Sequence, residues 1–306
     1  MSAPAHAQPW PHKPIKVIVP FPPGGVTDTI ARITAEWLSQ RLGNPVIAEN
    51  RPGASGALAA SLVARAEPDG YTLFSASTPQ LAIVPHVQPI SYDPIKDFAP
   101  ISIVGINPFA LACNDQIPAK DLAEFVEYIR QRPGQLSYGS AGSSSVSHLT
   151  MALFLARAGL KMEAVHYKGG GPATVDLVGG HVPCYFGNLN EIIPHAGSGK
   201  IKVLAISDQK RAPQLPQVPT VAEQGYPGFR TVTWNGYMAP AGTPRPVIER
   251  LAREIGAGCK DQGFVNRLAK VGVEAVCSAP AEFAQAVRED LKIWKEALQA
   301  AGLKSP

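Results

Sequence analysis

Ile15-Lys16-Val17-Ile18-Val19-Pro20-Phe21-Pro22-Pro23-Gly24-Gly25-Val26-Thr27-Asp28 is the stretch that decides the fold. Ile15 to Val19 is a short apolar, β-branched run of the kind that forms a strand covered on both faces. Two prolines and two glycines then break it. A helix is expected to start at Thr27 or Asp28, to carry Ile30, Ile33, Trp37 and Leu38 on one face, and to stop at Gly43. A buried strand, a loop and an amphipathic helix make one βα unit of a parallel sheet.

The same rhythm repeats outward from this unit. Residues 46–49 precede a helical run at 57–66, residues 71–76 lead into a short turn, and residues 136–138 precede a helix at 146–158. Residues 164–167 come before 172–178, residues 182–186 before a short helix near Ile192, and residues 202–206 before a Pro-rich loop. The fold class is therefore α/β, with mainly parallel sheets flanked by helices. From Thr243 the chain reads as nearly continuous helix, ending in residues 280–301, where Phe283, Val287, Leu291, Trp294 and Leu298 recur at helical spacing and form a core stripe.

A chain of 306 residues, 45% hydrophobic and 17% charged, exceeds one ordinary domain. Long extended runs at 102–109 and 229–238 are expected to carry it from one lobe to the other and back. The expected layout is one lobe of residues 12–104 plus 232–306 and another of residues 105–231, with the two crossings as a hinge. Trp234-Asn235-Gly236 lies on the return crossing and reads first as hinge packing, second as a ligand wall.

The net charge of +4 is scattered, with no basic run, so nucleic acid is excluded as the expected partner. No run reaches the roughly 18 apolar residues that span a bilayer. Ala5-His6-Ala7 matches the small-residue pattern before a signal-peptidase site, and residues 1–7 are read as the remnant of a signal peptide. Cys113, Cys184, Cys259 and Cys277 lack metal-type spacing. Cys259 and Cys277 flank one expected helix and are the preferred disulfide, with four small buried thiols as the alternative.

Two loops carry the functional reading. In the first, Phe21, Pro23, Gly24, Gly25, Val26, Thr27 and Asp28 surround a helix start. Glycine lets a ligand approach the backbone, and the unpaired amides of a helix N-terminus attract an anion. Thr27 offers a hydroxyl, and Asp28 suits loop ordering better than anion contact. In the second, Ser140, Ala141, Gly142, Ser143, Ser144, Ser145 and His148 again join a strand to a helix. Both loops are expected at the carboxyl ends of parallel strands, where open α/β sheets bind ligands, and so to grip one carboxylate from two sides.

These residues resemble a known family. Residues 20–28, Glu49-Asn50-Arg51-Pro52-Gly53-Ala54-Ser55-Gly56, Pro68-Asp69-Gly70-Tyr71-Thr72-Leu73, residues 138–148, Tyr167-Lys168-Gly169 and Ala239-Pro240-Ala241-Gly242-Thr243-Pro244 resemble the substrate-binding receptors of tripartite tricarboxylate transporters, the Bug-type proteins. The resemblance runs over residues 10–304. It implies a two-lobed periplasmic-binding-protein (Venus flytrap) fold and capture of a small di- or tricarboxylate or aromatic acid in the periplasm. The expected partners are that ligand and either membrane transporter subunits or a sensor, with the receptor a monomer. It adds Ser77, Thr78 and Gln80 as polar contacts and Asn188 as an amide contact. Read from the residues themselves, Tyr167 and Lys168 at a strand end offer a charge-assisted contact to a second carboxylate, with a solvated Lys168 as the favoured alternative. Where the family commonly has Phe-Asp-Asn, this sequence has Phe186-Gly187-Asn188, a departure that removes a negative charge and implies room for a larger or more anionic ligand.

Enzyme readings lack their parts. Gly139-Ser140-Ala141-Gly142 is out of register with a nucleophile elbow, and Gly197-Ser198-Gly199-Lys200 is an incomplete phosphate loop. No zinc-protease or dinucleotide motif is present, so no cofactor, no metal and no catalytic residue are expected. The alternative is a periplasmic serine hydrolase of carboxylic esters, using a serine within 143–147 with His148.

Overall fold

A computed structural model describes residues 10–143 and 145–303. The proposed leader remnant at residues 1–7 lies outside them, as does Ser144. In chain order the elements are β1 (Ile15–Val19), α1 (Val26–Leu42), β2 (Val46–Asn50), α2 (Ala57–Ala64), β3 (Thr72–Ser77), β4 (Phe98–Asn114), α3 (Leu122–Arg130), β5 (Ser137–Ser140), α4 (Val146–Ala158) and β6 (Glu163–His166). They continue with α5 (Gly170–Gly179), β7 (Cys184–Asn188), α6 (Leu189–Ile192), β8 (Ile201–Ile206), β9 (Val232–Pro240), α7 (Arg245–Gly258), α8 (Gln262–Ala269), β10 (Glu274–Ala275) and α9 (Pro280–Ala300).

The chain divides into two compact units. The first holds the described residues up to Ile106 together with Trp234–Leu291, and the second holds the described residues of Asn107–Thr233 and those from Lys292 onward. The expected layout assigns residues 292–306 to the first unit, whereas the described residues 292–303 belong to the second, where Arg157 of α4 donates to Glu296 of α9 through two hydrogen bonds of 2.9 and 2.8 Å. Within α9 the apolar stripe is buried as its spacing requires, at Phe283, Val287, Trp294 and Leu298.

In the first unit β1 is the centre of a parallel trio, with β2 on one side and β3 on the other. β9 then runs antiparallel to β3, and β10 antiparallel to β4. Ile15, Val17, Ile30, Ile33, Leu38, Leu73, Val104, Tyr237, Leu251 and Phe264 close one core over this sheet. Helix α1 starts one residue before the expected range and ends at Gly43, which adopts φ 67° and donates to the Ser39 carbonyl at 3.1 Å. That left-handed stop is the one glycine accepts without a Cβ clash.

In the second unit β5 is parallel to β6 and β7, while β4 is antiparallel to β7 and β8. Tyr185, Leu177, Ile192, Ile201 and Ile206 belong to its core. The expected α/β class is observed in both units, each with a parallel trio at its heart. Of the cysteines, Cys259 and Cys277 form a disulfide across 18 residues, and Cys113 and Cys184 are free and buried. Among the described residues no helix is long and apolar enough to cross a membrane.

Gly236 on β9 shows how tightly the first sheet is packed. A Cβ there would lie 2.7 Å from the Ser102 carbonyl oxygen and 2.7 Å from the Phe283 ring. Backbone cannot yield as a flexible side chain would, so Gly236→Ala is expected to destabilise the chain by about 1–3 kcal/mol, read as a lower urea midpoint.

Candidate functional site

The first loop is built around one carboxylate. Asp28 is 2% exposed although it sits on the first turn of α1. Its Oδ2 accepts from the Gly24 amide at 2.9 Å and from Arg32 Nε at 3.0 Å, and its Oδ1 accepts from Asn50 Nδ2 at 2.7 Å. Asn50 also donates to the Phe21 carbonyl at 2.9 Å, and Arg32 reaches Asn50 Oδ1 at 2.8 Å. Burial alone would raise the Asp28 pKa, but the hydrogen bonds from Arg32, Gly24 and Asn50 outweigh it and hold the carboxyl below its ordinary value. Asp28 therefore points back into the loop. It is a brace for the turn and not a wall of it.

The consequence falls on the backbone. The first helical bond is donated by the Thr29 amide to the Gly25 carbonyl at 2.9 Å. Among the described residues, the amides of Gly25, Val26, Thr27 and Asp28 have no acceptor, as the first turn of a helix dictates. Pro22, Pro23, Gly24, Gly25 and Val26 are exposed, so the start of this row of donors, at Gly25 and Val26, lies at the surface, while Thr27 is half-buried and Asp28 buried. Gly24 makes the bend, at φ 90°, where a Cβ would be strained. Thr27 does not offer its proton to a ligand, because its hydroxyl donates to Asn235 Oδ1 at 2.8 Å. That leaves the Asn235 NH2 without an acceptor among the described residues, beside the same turn.

Ser77, Thr78 and Gln80, expected as further contacts, are all buried. Gln80 Oε1 accepts from the Ser77 amide at 3.0 Å and its hydroxyl at 2.8 Å, and Thr78 Oγ1 accepts from the Trp234 amide at 3.0 Å. These side chains lock the end of β3 to β9 and to loop 54–56, where Gln80 Nε2 meets the Ser55 carbonyl at 3.4 Å. Their polar groups face inward.

The second unit carries the hydroxyl-rich loop. Ser145 caps α4, accepting from the His148 amide at 3.2 Å and donating to the Gly142 carbonyl at 2.8 Å. Ser147 accepts from the Ala141 amide at 3.0 Å, and Ser140 donates to the Gly142 carbonyl at 2.9 Å. The serines thus hold the loop's shape. Amides remain for a ligand, with Val146 and Ser147 having no acceptor for theirs among the described residues.

His148 is turned away from those serines. Its Nδ1 lies 3.1 Å from the Tyr138 hydroxyl, its ring is 5.0 Å from that of His166, and it lines a groove of about 380 Å³ with Leu155, Leu160 and Met162. Burial and then the His166 charge lower its pKa, so it stays neutral near pH 7. No serine hydroxyl within the described part of 143–147 meets its imidazole, whose Nδ1 faces Tyr138 instead. Ser140 Oγ lies 3.2 Å from His166 Nδ1, but this serine is fully buried and its proton goes to the Gly142 carbonyl.

Tyr167 donates to Asp176 at 2.7 Å, and Lys168 is exposed, as its solvated reading has it. At the adjoining start of α5, a Cβ on Gly170 would lie 2.3 Å from both Glu191 oxygens, so the Glu191 carboxylate packs directly against Gly170. Asn188 caps α6 and donates to Glu191 from both side chain and backbone. Nor does Gly187 leave space for a ligand, since its Cβ position is 2.6 Å from the Tyr185 ring and 2.8 Å from Ile192.

These two amide-lined turns can be set beside known proteins. Residues 30–303 match the family described as tripartite tricarboxylate transporter family receptor. The chain belongs to that family. It is 36% identical to the protein BugT of Bordetella pertussis over 306 residues, covering 99% of this chain and 94% of that one. Among solved structures it is similar to Rpa4515 of R. palustris with adipate, at TM-score 0.75 and 34% identity over 96% of this chain and 99% of that one. It is also similar to MatC of Rhodopseudomonas palustris with bound malate, at TM-score 0.71 and 34% identity over 94% and 100% of the two chains. The receptor family assignment agrees with the motifs from which it was expected, and the fold is that of a periplasmic solute-binding protein.

Asn50 and Asn235 are the residues that sequence reading undervalued. In the sequence Asn50 carries no role of its own, and Asn235 reads first as hinge packing and second as a ligand wall. Only the register that sets β9 beside β3 brings Asn235 to Thr27. Asn50→Ala is expected to lose about 1.5–3 kcal/mol by stripping a charged hydrogen bond from Asp28. The sign with pH follows from the lowered Asp28 pKa. Its contribution is complete above the unfolded value of about 3.9 and is lost as pH falls through the folded value, so Asn50→Ala should unfold at a higher pH in acid titrations followed by circular dichroism.

Proposed function

We propose that this receptor captures a small carboxylate in the periplasm and presents it to a transporter of the tripartite tricarboxylate type, acting as a monomer and performing no chemistry on the ligand. The observation that carries this reading is the row of acceptor-free amides at Gly25, Val26, Thr27 and Asp28, which starts at the exposed residues Gly25 and Val26 of a loop whose own carboxylate is turned inward. Such a row favours negative oxygen atoms through direct hydrogen bonds and through the positive end of the helix dipole. Asn235 adds a neutral donor at its edge. The second turn, at Val146 and Ser147, supplies the same chemistry in the other unit.

Two relatives solved with dicarboxylates, adipate and malate, support the ligand class. Backbone donors recognise the carboxylate and not the carbon skeleton, so chain length and shape decide selectivity. The absence of a net basic patch is consistent with this. A carboxylate held by neutral amides needs no counter-cation, and can be released without breaking a buried ion pair.

Calorimetry and thermal shift against adipate, malate, citrate and benzoate test the reading. A true ligand at 100 times its Kd should stabilise the fold by about 2.7 kcal/mol. Gly25→Val sharpens the test, because Gly25 has φ −75° and no atom nearer than 4.0 Å to its Cβ position, so the fold tolerates the branch while the amides are covered. The variant should keep its melting temperature and lose affinity at least tenfold. Equal affinity in wild type and variant, or no response to any of the four acids, would overturn the assignment.

A further inference from the structure

Cys113 on β4 and Cys184 on β7 stand directly opposite each other in antiparallel register, both free and both fully buried. The next pair along the ladder is the hydrogen-bonded one, since the Asn114 amide donates to the Pro183 carbonyl at 2.9 Å. Hydrogen-bonded and non-hydrogen-bonded pairs alternate, so Cys113 and Cys184 form a non-hydrogen-bonded pair, in which Cα atoms approach to about 4.5 Å and the side chains share one face. A disulfide bridges Cα separations of roughly 4.4–6.8 Å. The Cα separation of such a pair thus falls within the range a disulfide spans.

We propose that Cys113 and Cys184 are a second oxidation site, joined as a cross-strand disulfide while the chain folds in an oxidising compartment. One thiolate attacks the sulfur of a disulfide-bearing oxidant, releasing one thiol and leaving a mixed disulfide on the chain. The second cysteine thiolate then attacks the chain's sulfur and expels the other thiol. The protein loses two hydrogens and gains one S–S bond, and the oxidant is reduced to two thiols. Burial sets the timing. Neither sulfur is accessible once β4 and β7 have packed, and Lys202, opposite Cys113 on β8, commits its ammonium to the Ile117 and Ala119 carbonyls at 2.9 and 3.3 Å.

The bond would close a loop over residues 113–184. That segment contains β5, the hydroxyl-rich turn, α4, β6 and α5, so the cross-link ties off the part of the second unit that presents the Val146 and Ser147 amides. The existing Cys259–Cys277 bond closes only 18 residues, in the first unit. A longer loop restricts the unfolded chain more.

The test refolds the full chain from denaturant and reductant into a mixture of reduced and oxidised glutathione, made more oxidising until Cys259–Cys277 forms. Alkylation in denaturant, proteolysis without reduction and mass spectrometry then map the bonds. The expected result is a peptide pair linking Cys113 to Cys184, 2 Da below the sum of its reduced halves, and a melting temperature several degrees above that of Cys113→Ala/Cys184→Ala. Recovery of Cys113 and Cys184 as separately alkylated peptides, or linked to other cysteines, from folded protein whose Cys259–Cys277 bond is intact would overturn the proposal. The peptide map of the wild-type chain decides the matter even if the double variant does not fold.

Discussion

A buried carboxylate on the first turn of a helix is an unusual thing to keep, and the first unit is arranged so that Asp28 can be kept. Arg32, Asn50 and the Gly24 amide each give it a hydrogen bond, and Asn50 simultaneously holds the Phe21 carbonyl at the mouth of the loop. The network fixes both ends of a turn that has no side-chain cap of its own. An Asp is usually valuable at a helix start because it accepts from the helix amides. Here it accepts from the loop before the helix, and the helix amides are left for something else. A carboxylate turned the other way would have neutralised the turn's attraction for an anion.

The second unit solves the same problem with neutral groups. Ser140, Ser145 and Ser147 satisfy the Gly142 carbonyl and the amides of Ala141, Gly142 and His148, and none of them brings a charge. Glu191 supplies a contrast in that unit, because there an internal carboxylate packs against Gly170 at the first turn of α5. Burial raises its pKa against the hydrogen bonds from Asn188 and Tyr185 that oppose the rise. At the helix starts beside Gly25 and Val146 no acid of the chain accepts from the first amides among the described residues.

Disulfides and thiols divide along the same physical lines. Cys259 and Cys277 join the end of α7 to the segment before α9, positions held together by loop geometry. Cys113 and Cys184 face each other across a sheet ladder, so strand register alone sets their separation. Spacing in the sequence identified the first pair, because one short helix lies between its members. It was silent on the second, whose members are far apart in the chain and adjacent only through β4–β7 pairing.

What the sequence by itself determined is everything carried by local periodicity and turn chemistry: the βα rhythm, the start and stop of α1 and α4, and the two glycine- and serine-rich turns, where propensity and conformational freedom act within a few residues. Which polar groups in those turns stay free was decided only by tertiary structure, since hydrogen bonds are exclusive and their partners come from distant strands. Thr27 lost its donor to Asn235, Gln80 turned to Ser77, and His148 to Tyr138. Asp28 could be read as a loop brace from its place at the helix start, but its partner Asn50 belongs to a neighbouring strand 22 residues away. A residue's type tells what bonds it is able to make, and the packed sheet tells which of them are already made.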